Sequence, residues 1–544
     1  MRNNETSQQV ESCDVLIVGA GIAGLTAALE LCQQGKRVVI LERQGQEMVG
    51  GLARCAFGGM ALVGTEEQKR NGIDDNADIA LQDWYNFADF NDDDDYPKQW
   101  AQLYCQRSYQ DVYLHVKQLG IKFLPAVNWV ERGMYGDGNS LPRYHVMWGT
   151  SLELVNKTLD ALSAFKAPQL TIKFEHSVDR LTTNELDHIN GCIATTNEGV
   201  DVTFEACNVI IASGGFTGNL DMVKAHWPVH WQKPTRLLNG TSPSCDGKMH
   251  DEVARHHGRL THLDKMWNYA AGIPHPEPLF EQHGLSLIPC KSALWLDANG
   301  ERIGPQPLVT GFDTRDLCKQ MAKQQHGYAW QVLNWKIASK EFAISGAEHN
   351  QMIRDKKFVT FIKETLLGNH RLVKQMQQQS DHFIVADTVS ELVSKMNQLA
   401  DTIDMDETIL SQTLTDYDAN LARPSAQFND DQIRRIEHAR KWKADRLRTC
   451  KPHPIQDSKH GPLIAIKVSL ISRKSLGGIQ TNIYSQVISN GGEPLANLYA
   501  IGEAAGFGGG GASGKRSLEG TFLSGCILTA KQAAKHICQS NINE

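Results

Sequence analysis

Residues 15–24, VLIVGAGIAG, decide the fold, because they place a glycine turn between an apolar strand and a helix. The hydrophobic pattern predicts a strand over 14–18, a helix over 22–34 that stops before a glycine, and a second apolar strand over 36–41. A strand, a glycine turn, a helix and a parallel strand form the unit from which doubly wound α/β domains are built. The N-terminus therefore predicts an α/β fold of the Rossmann type.

The three glycines of this turn have the spacing that binds a dinucleotide. Gly19 makes the tight turn, Gly21 lets the backbone approach a pyrophosphate, and Gly24 lets the helix pack closely on the strand. The N-terminus of the helix then faces the phosphate charge. Glu42, at the end of the second strand, can accept hydrogen bonds from ribose hydroxyls and would repel a 2′-phosphate. The pattern predicts FAD or NAD as the bound nucleotide and disfavours NADP.

The composition is that of a globular protein, with 544 residues, 41% hydrophobic and 22% charged. It excludes disordered, collagen-like and coiled-coil chains, and the net charge of −7 disfavours a nucleic-acid partner. The twelve cysteines form no CxxC or CxxCH motif, so we expect no metal site, no attached haem and no disulfide framework. The polar N-terminus, and the lack of an apolar run of about 20 residues, predict no signal peptide and no transmembrane segment. We expect a cytoplasmic protein.

The rest of the chain alternates between two kinds of pattern. Residues 77–120 have the apolar spacing of amphipathic helices, 170–204 suggest a β-meander, and 206–212 form an apolar strand that leads into glycines. The stretch 263–450 is rich in Trp, His and charged helix formers, and the strand-and-glycine pattern returns after it. We predict one discontinuous nucleotide-binding domain with an inserted α+β capping domain that holds the substrate. The predicted boundaries are 1–262 for the first part, 263–450 for the cap, and 451–544 for the second part.

A series of short turns follows the dinucleotide fingerprint and is informative as an ordered set. They are Leu41-Glu42-Arg43, Gly50-Gly51, Phe57-Gly58-Gly59, Ala212-Ser213-Gly214-Gly215-Phe216 with Asn219, Asp246-Gly247, Leu476-Gly477-Gly478-Ile479 and the run 497–506, NLYAIGEAAG. The set resembles a family of FAD-dependent oxidoreductases that includes soluble fumarate reductases, succinate dehydrogenase flavoproteins and 3-ketosteroid dehydrogenases. Within it, residues 84–150 are most similar to a bacterial subgroup known only as FAD-binding dehydrogenases. The resemblance implies FAD rather than NAD.

The resemblance also implies how the flavin is held. Succinate dehydrogenase flavoproteins bind it covalently through a histidine soon after the first ribose strand, whereas no histidine precedes His115 in this chain, so we expect non-covalent FAD. The predicted cofactor-binding residues are Gly19, Gly21, Ile22, Ala23, Gly24, Glu42, Arg43, Gly50, Gly51, Gly58, Gly59, Ala212, Ser213, Gly214, Asp246, Gly502, Glu503, Ser517 and Leu518.

Three cations match functional positions of the family. The segment Thr314-Arg315-Asp316 resembles the Thr-Arg-Asp of fumarate reductases, whose arginine is the proton donor. Lys474 stands where those enzymes have a substrate-binding histidine, and Arg516 matches an arginine that follows the C-terminal glycine-rich loop. The resemblance therefore assigns catalytic roles to Arg315, Lys474 and Arg516. Each has an open alternative: an ion pair with a surface acid for Arg315, a solvated loop for Lys474, and stabilisation of the reduced flavin for Arg516.

The chain also departs from both chemistries of the family. The relay that feeds protons to the fumarate reductase arginine is missing, because its positions are Ser286 and Pro289 here. The tyrosine by which ketosteroid dehydrogenases polarise the ketone has no counterpart in the C-terminal loop. Residues without a motif are expected to be packing or surface positions: His256, His257, His275 and Tyr269.

The expected function follows from the family. We predict an FAD-dependent oxidoreductase that moves a hydride between flavin and a C–C bond α,β to a carbonyl or carboxylate of a small molecule, such as a ketosteroid-like enone or a fumarate-like acid. An external electron carrier is implied. A non-catalytic, redox-responsive or assembly protein that binds flavin is the alternative. The glycine-rich segment 506–514 is predicted to cradle the flavin edge or, alternatively, to form a mobile connector.

Overall fold

Two eight-stranded sheets organise the computed structural model, which describes residues 10–134, 137–304, 306–400, 403–516 and 518–540. The first sheet runs in the order β19-β20-β8-β1-β2-β5, with β7 joining β8 and β6 joining β7. Its strands are β1 (Val10–Val18), β2 (Val38–Leu41), β5 (Leu170–Lys173), β6 (His176–Thr183), β7 (Ile189–Thr196), β8 (Asp201–Ile211), β19 (Gln486–Ile488) and β20 (Pro494–Ala500).

Five neighbouring strands of the first sheet, β20, β8, β1, β2 and β5, are parallel. In chain order this is the 3-2-1-4-5 arrangement of a Rossmann sheet, so the predicted α/β class is confirmed. Side chains alternate across β1, with Ile17 packed under helices on one face and Leu16 under the β6–β7 hairpin on the other. Leu16 and Ile17 are both fully buried, because the two faces of β1 are both covered. This explains why the sequence of the strand is continuously apolar and does not alternate.

The second sheet runs in the order β13-β14-β17-β11-β12-β15, with β9 and β16 also paired to β17. Its strands are β9 (Leu237–Asn239), β11 (Met266–Pro274), β12 (Gly284–Ile288), β13 (Leu294–Leu296), β14 (Ala329–Asn334), β15 (Ala343–Ile344), β16 (Phe383–Ala386) and β17 (Leu463–Ser475). Two further strand pairs are small: β3 (Gly59–Ala61) with β4 (Tyr144–Val146), and β10 (Leu260–Thr261) with β18 (Gly478–Ile479).

The helices cover both sheets, and among the described ones none combines the length and apolar composition that crossing a bilayer requires. They are α1 (Ile22–Gln33), α2 (Glu66–Arg70), α3 (Ala77–Ala88), α4 (Asp95–Arg107), α5 (Leu114–Gln118), α6 (Thr150–Leu162), α7 (Leu220–Ala225), α8 (Lys248–Arg255), α9 (Thr314–Ala322), α10 (Trp335–Glu341), α11 (Gln351–Arg354), α12 (Phe358–Leu367), α13 (His370–Gln379), α14 (Val389–Ala400), α15 (Glu407–Leu421), α16 (Asp431–Ala439), α17 (Lys443–Arg448) and α18 (Thr521–Ser540).

Strand β17 connects the two halves of the molecule. Its first part pairs with β14 and β16, its second part with β11 and β9, and the following residues enter the first domain. Strands β9 and β17 lie outside the predicted cap, 263–450, although their sheet is built mainly from strands of that segment. The element that follows β20, residues 502–505, packs with α18 against α1, so the C-terminal end joins the N-terminal fingerprint.

Two local predictions differ from the structure. The helical stretch 77–120 is interrupted after α3, because Asp89 takes a left-handed conformation with φ of 53°. The predicted meander 170–204 and strand 206–212 are divided differently. Strand β5 belongs to the parallel sheet, and β8 extends unbroken from Asp201 to Ile211. The first half of β8 contains polar residues, and for this reason the hydrophobic pattern did not predict where the strand begins.

Candidate active site

A cavity of about 1220 Å³ lies between the glycine turns of the first domain and the second sheet. Ligand pockets are typically roughly 300–1,000 Å³, so this space can hold a cofactor together with a substrate. One end is lined by the fingerprint and by Glu42, and the other by residues of β11, β12, β17 and α12.

The glycine turn has the geometry that a pyrophosphate requires. An added Cβ at Gly21 would meet no protein atom within 4 Å, so the backbone is open to the cavity there. At Gly24 a Cβ would overlap the carbonyl oxygen of Gly19, which confirms close packing of helix and strand at the third glycine. Helix α1 begins at Ile22 without a side-chain cap or an acidic residue in its first turn. Its free N–H groups therefore suit an anion.

Glu42 and Arg43 follow β2 at the same end of the cavity. The Glu42 carboxylate accepts hydrogen bonds from the backbone N–H of Ala20 at 2.8 Å and of Gln44 at 2.9 Å. These hydrogen bonds fix the orientation of the carboxylate, and its remaining lone pairs can accept hydrogen bonds from ribose hydroxyls. Arg43 forms a bidentate pair with Asp246, with distances of 2.8 and 3.0 Å. Asp246 thus acts on the cavity through Arg43.

Most residues predicted to hold the cofactor line this cavity, and their chemistry fits FAD. They are Gly19, Gly21, Ile22, Ala23, Glu42, Arg43, Gly50, Gly51, Gly58, Gly59, Ala212, Ser213, Gly214 and Glu503. The others among the described residues lie behind the wall: Gly24 and Gly502 in close backbone packing, Asp246 in its ion pair, and Leu518 in the core beside α18. Ser517 falls outside the described residues.

The far end of the cavity carries a tyrosine paired with a glutamate. The hydroxyl of Tyr269 on β11 donates to Glu519 Oε2 at 3.2 Å, and the indole N–H of Trp267 donates to the same oxygen at 2.9 Å. Burial raises the pKa of Tyr269, so its phenol is neutral at physiological pH. The guanidinium of Arg473 lies 5.5 Å from the centre of the Tyr269 ring.

A second phenol and a lysine complete this end. Tyr144 on β4 lines the cavity, burial raises its pKa, and its hydroxyl makes no hydrogen bond with any of the described residues. Its O–H is therefore available to a ligand. Lys474 also lines the cavity, with Nζ 4.4 Å from the centre of the Phe522 ring, and burial lowers its pKa to about 8. Lys474 lies on β17 at the cavity wall and not in a solvated loop.

The two predicted arginines lie beside the cavity and do not form its wall. Asp313 caps α9 by accepting from Asp316 N at 2.9 Å, which places Arg315 in the first turn as the sequence predicts. Arg315 lies 5.1 Å above the Trp231 ring and forms no ion pair with the described residues. Arg516 pairs with Asp313 at 3.0 Å. Burial and the neighbouring Arg516 lower the pKa of Arg315.

Thr314 connects this helix to the cavity through Glu131. Glu131 Oε1 accepts from Thr314 Oγ1 at 2.5 Å, and Oε2 accepts from the Thr314 backbone N–H at 3.1 Å. Glu131 is 2% exposed and lines the cavity. Burial raises its pKa to about 8, so it is largely protonated at pH 7.

Three metal-ligand types, His275, Glu348 and His349, meet at the cavity wall within 4.8 Å of one another. The backbone N–H of Glu277 donates to His275 Nδ1 at 3.0 Å, so neutral His275 keeps its proton on Nε2. The ring of His283 stacks on His275 with centroids 4.2 Å apart. These three side chains present polar groups to the cavity, which sequence spacing alone did not indicate.

The sequence did not predict that Tyr269, Glu519, Tyr144 and Glu131 line the cavity. They come from four distant segments, and no short motif joins them. Glu519 lay inside the matched segment 514–520, three residues from Arg516, and an acid in that segment was the one available signal. The C-terminal loop lacks the tyrosine of the ketosteroid dehydrogenases, as the sequence indicated. However, β4 and β11 each place a tyrosine, Tyr144 and Tyr269, at the wall of the cavity.

The glycine-rich segment 506–514 is packed inside the protein. An added Cβ at Gly508 would lie 2.5 Å from the Trp100 ring, and one at Gly509 would lie 2.8 Å from the Tyr96 backbone. Gly511 approaches His262 in the same way. Phe507 is the residue of this segment that lines the cavity. The glycines therefore allow close packing against α4 and β10.

Comparison with known proteins agrees with this geometry. Residues 14–523 match the model of the FAD binding domain family. A KsdD-like steroid dehydrogenase of Mycobacterium tuberculosis (strain CDC 1551 / Oshkosh) is 38% identical over 545 residues, covering 96% of this chain and 95% of the relative. A KsdD-like steroid dehydrogenase of Mycolicibacterium smegmatis is 36% identical, covering 94% and 96%.

Solved structures show the same fold at lower identity. The 3-ketosteroid Δ1-dehydrogenase of Sterolibacterium denitrificans has a TM-score of 0.72 at 15% identity, covering 97% of this chain and all of that one. A flavocytochrome c3 fumarate reductase has a TM-score of 0.67 at 18% identity, covering 97% and 78%. These relatives support the predicted enzyme and not the non-catalytic alternative. The chain belongs to the FAD binding domain family and is an FAD-dependent oxidoreductase that acts on CH–CH groups.

Proposed function

We propose that this enzyme adds or removes two hydrogens across the C–C bond next to the carbonyl of an extended apolar ketone of the steroid class. The observation that carries the proposal is the pair of neutral phenols, Tyr144 and Tyr269, at the far end of a large cavity. A neutral O–H donor, here Tyr144, suits a ketone oxygen, which carries no charge before reaction, while the O–H of Tyr269 is directed at Glu519. The names of the full-length relatives, steroid dehydrogenases, support the same substrate class.

The cavity wall beyond the phenols has a large apolar part. Its aliphatic and aromatic residues are Phe280, Leu285, Leu287, Ile344, Ile353, Phe361, Ile362 and Leu447. Such a wall gains affinity by burying apolar ligand surface, at about 25 cal/mol per Å². The two arginines that would clamp a carboxylate lie off the wall, and Arg516 is already paired with Asp313. A multi-ring ketone therefore fits this end better than a short dicarboxylate.

The residues divide the work between proton transfer and charge stabilisation. FAD, held by the glycine turns with Glu42 and Arg43, supplies the acceptor or donor of the hydride. Tyr269 can take a proton from the neighbouring substrate carbon while its own phenol proton passes to Glu519, which Trp267 orients. Tyr144 donates to the carbonyl oxygen as an enolate develops. Lys474 provides positive charge in the buried site.

A short unsaturated acid is the second candidate substrate, because Lys474, Arg473 and Arg448 give this end three cations on the wall. Turnover with an artificial electron acceptor separates the two. We expect 3-ketosteroids to be oxidised, and α,β-unsaturated acids to leave the reduced enzyme unchanged. Reoxidation by acids alone, with no ketone turned over, would contradict the proposal.

Three finer expectations belong to this proposal. The FAD is held non-covalently, so acid precipitation should release it into the supernatant; flavin in the pellet would show a covalent bond. The electrons pass to a separate carrier, since the sequence offers no CxxCH or clustered cysteines for a haem or iron–sulfur centre. The enzyme works in the cytoplasm, in agreement with twelve unpaired cysteines, eight of them buried.

A further inference from the structure

Helix α12 is an apolar helix that lacks a protein partner on its outer side among the described residues. Five of its apolar side chains are exposed, with exposed fractions of 59% for Phe358, 81% for Val359, 39% for Ile362, 59% for Leu366 and 67% for Leu367. None of its ten residues is buried. Isolated exposed apolar residues are ordinary, but a contiguous group on one short helix marks an interaction surface.

The inner side of the same helix forms part of the cavity wall. Phe361, Ile362 and Thr365 line the cavity, and the ring of Trp148 contacts Phe358 and Phe361 edge-on at 6.2 and 5.7 Å between centroids. At about 100° per residue these positions and Val359 and Leu366 occupy adjoining sectors of one apolar face. The exposed surface therefore adjoins the proposed substrate space on the same helix, and Ile362 belongs to both.

The segment around α12 carries a net positive charge, whereas the molecule as a whole is negatively charged. Residues 351–374 contain six Lys or Arg against two Asp or Glu, whereas the whole chain has a net charge of −7. Lys357, Lys363 and Lys374 are exposed, and Lys363 and Lys374 form no ion pair with the described residues. The exposed pairs that do form, such as Lys357 with Asp355 at 3.5 Å, are weak in water and can be exchanged for new partners.

An apolar face bordered by lysines is the arrangement by which a helix lies in the interface of a bilayer that contains anionic lipid. We propose that α12 and its lysines, the α12 surface, dock this enzyme on an anionic lipid bilayer. An apolar ketone partitions into lipid, so docking there brings the cavity wall to the phase that holds such a substrate. The link between docking and the substrate rests on the proposed function, whereas the docking itself does not.

Flotation of the FAD-loaded enzyme with vesicles tests the docking without any substrate. We expect binding to vesicles of phosphatidylcholine with phosphatidylglycerol, and much weaker binding to phosphatidylcholine alone or at high salt. Val359→Asp with Leu366→Asp should lower the partition coefficient at least about tenfold, because both side chains leave the apolar phase. Lys357→Glu with Lys363→Glu should lower it several-fold on the anionic vesicles only.

Leu186→Asp is the matched control, since Leu186 is 73% exposed in the turn between β6 and β7. It should bind vesicles like the wild type. The substituted residues are off the cavity wall, so turnover of a water-soluble ketone should stay unchanged and show that the variants are folded. Wild-type enzyme that stays unbound on anionic vesicles would overturn the proposal. A second outcome would also overturn the proposal: the wild type self-associates and does not bind lipid, and the Val359/Leu366 variant no longer self-associates. The surface would then bind a second copy of the chain.

Discussion

Tyr269 and Glu519 form a pair whose effect on turnover can be separated from packing, because the chain carries a second such pair outside the cavity. Tyr109 donates to Glu66 at 2.5 Å, and neither residue lines the cavity. We expect Tyr269→Phe to keep its FAD and melting temperature and to lose about 100- to 1,000-fold in kcat, as proton transfer and charge stabilisation are both weakened. Tyr109→Phe should turn over like the wild type. Equal rates for the two variants would remove Tyr269 from the mechanism.

The catalytic roles of Arg315 and Arg516 stay predictions, and the same assay tests them. Arg315→Ala removes a cation that stacks on Trp231 and neighbours Thr314, the contact of Glu131. A loss as large as that of Tyr269→Phe, with FAD retained, would support a catalytic role for Arg315. Partial activity in Arg315→Lys would then indicate an electrostatic clamp, and a loss of nearly all activity would indicate a proton donor. A wild-type rate would show that the guanidinium serves packing alone.

Lys474 gives the reaction an expected pH dependence. Burial lowers its pKa to about 8, so the ammonium is present below that value and is lost as the pH rises through it. We expect kcat to fall over this range. Lys474→Met should be slower at pH 7 and lack the fall, whereas Lys474→Arg should keep part of the rate and stay active at higher pH. If kcat of the Lys474→Met variant fell over the same alkaline range, another group would be responsible for the fall.

Among the elements, the glycine turn has two functions, the approach to a pyrophosphate at Gly21 and the helix–strand packing at Gly24, that can be told apart by substitution. Gly21→Val adds a side chain that meets no protein atom near its Cβ and fills cofactor space. We expect a folded protein with unchanged melting temperature in the absence of FAD and with at least about tenfold weaker FAD binding. Gly24→Ala, whose Cβ overlaps the Gly19 carbonyl, should lower the melting temperature instead. Differential scanning calorimetry and flavin titration measure both, and the reverse pattern would contradict this division.

The same contrast explains what the sequence could predict. The common location of the fingerprint, Glu42 and most of the predicted cofactor residues on one cavity wall was predictable, because each lies within one turn, where local spacing fixes the geometry. The reaction end was not, because Tyr144, Tyr269 and Glu519 meet only after β4, β11 and the C-terminal loop have packed together. Arg315 was predicted in the first turn of a helix and lies there, but the direction of its side chain depends on Trp231, which is distant in sequence.

In the complete chain, β17 determines which part can fold as a cap. Ile464, Ile466 and Val468 of this strand are fully buried in the core of the second sheet. We expect a fragment of residues 263–450, which lacks β9 and β17, to remain unfolded, and a fragment of 237–475 to unfold cooperatively in urea. Circular dichroism during the titration distinguishes them. A cooperative transition of 263–450 would support the boundaries predicted from the sequence.

The packed glycines of 506–511 have a consequence for how this gene can vary. Every missense change of a glycine codon adds at least a Cβ, and at Gly508 the nearest ring lies 2.5 Å from that atom. The left-handed backbone at Gly509 and Gly510, with φ of 66° and 71°, excludes most replacements for a second reason. In a mutational scan this segment should therefore be as intolerant as the cofactor turns. A loop can thus carry the statistical signature of a catalytic site when its constraint is the space between a helix and a strand.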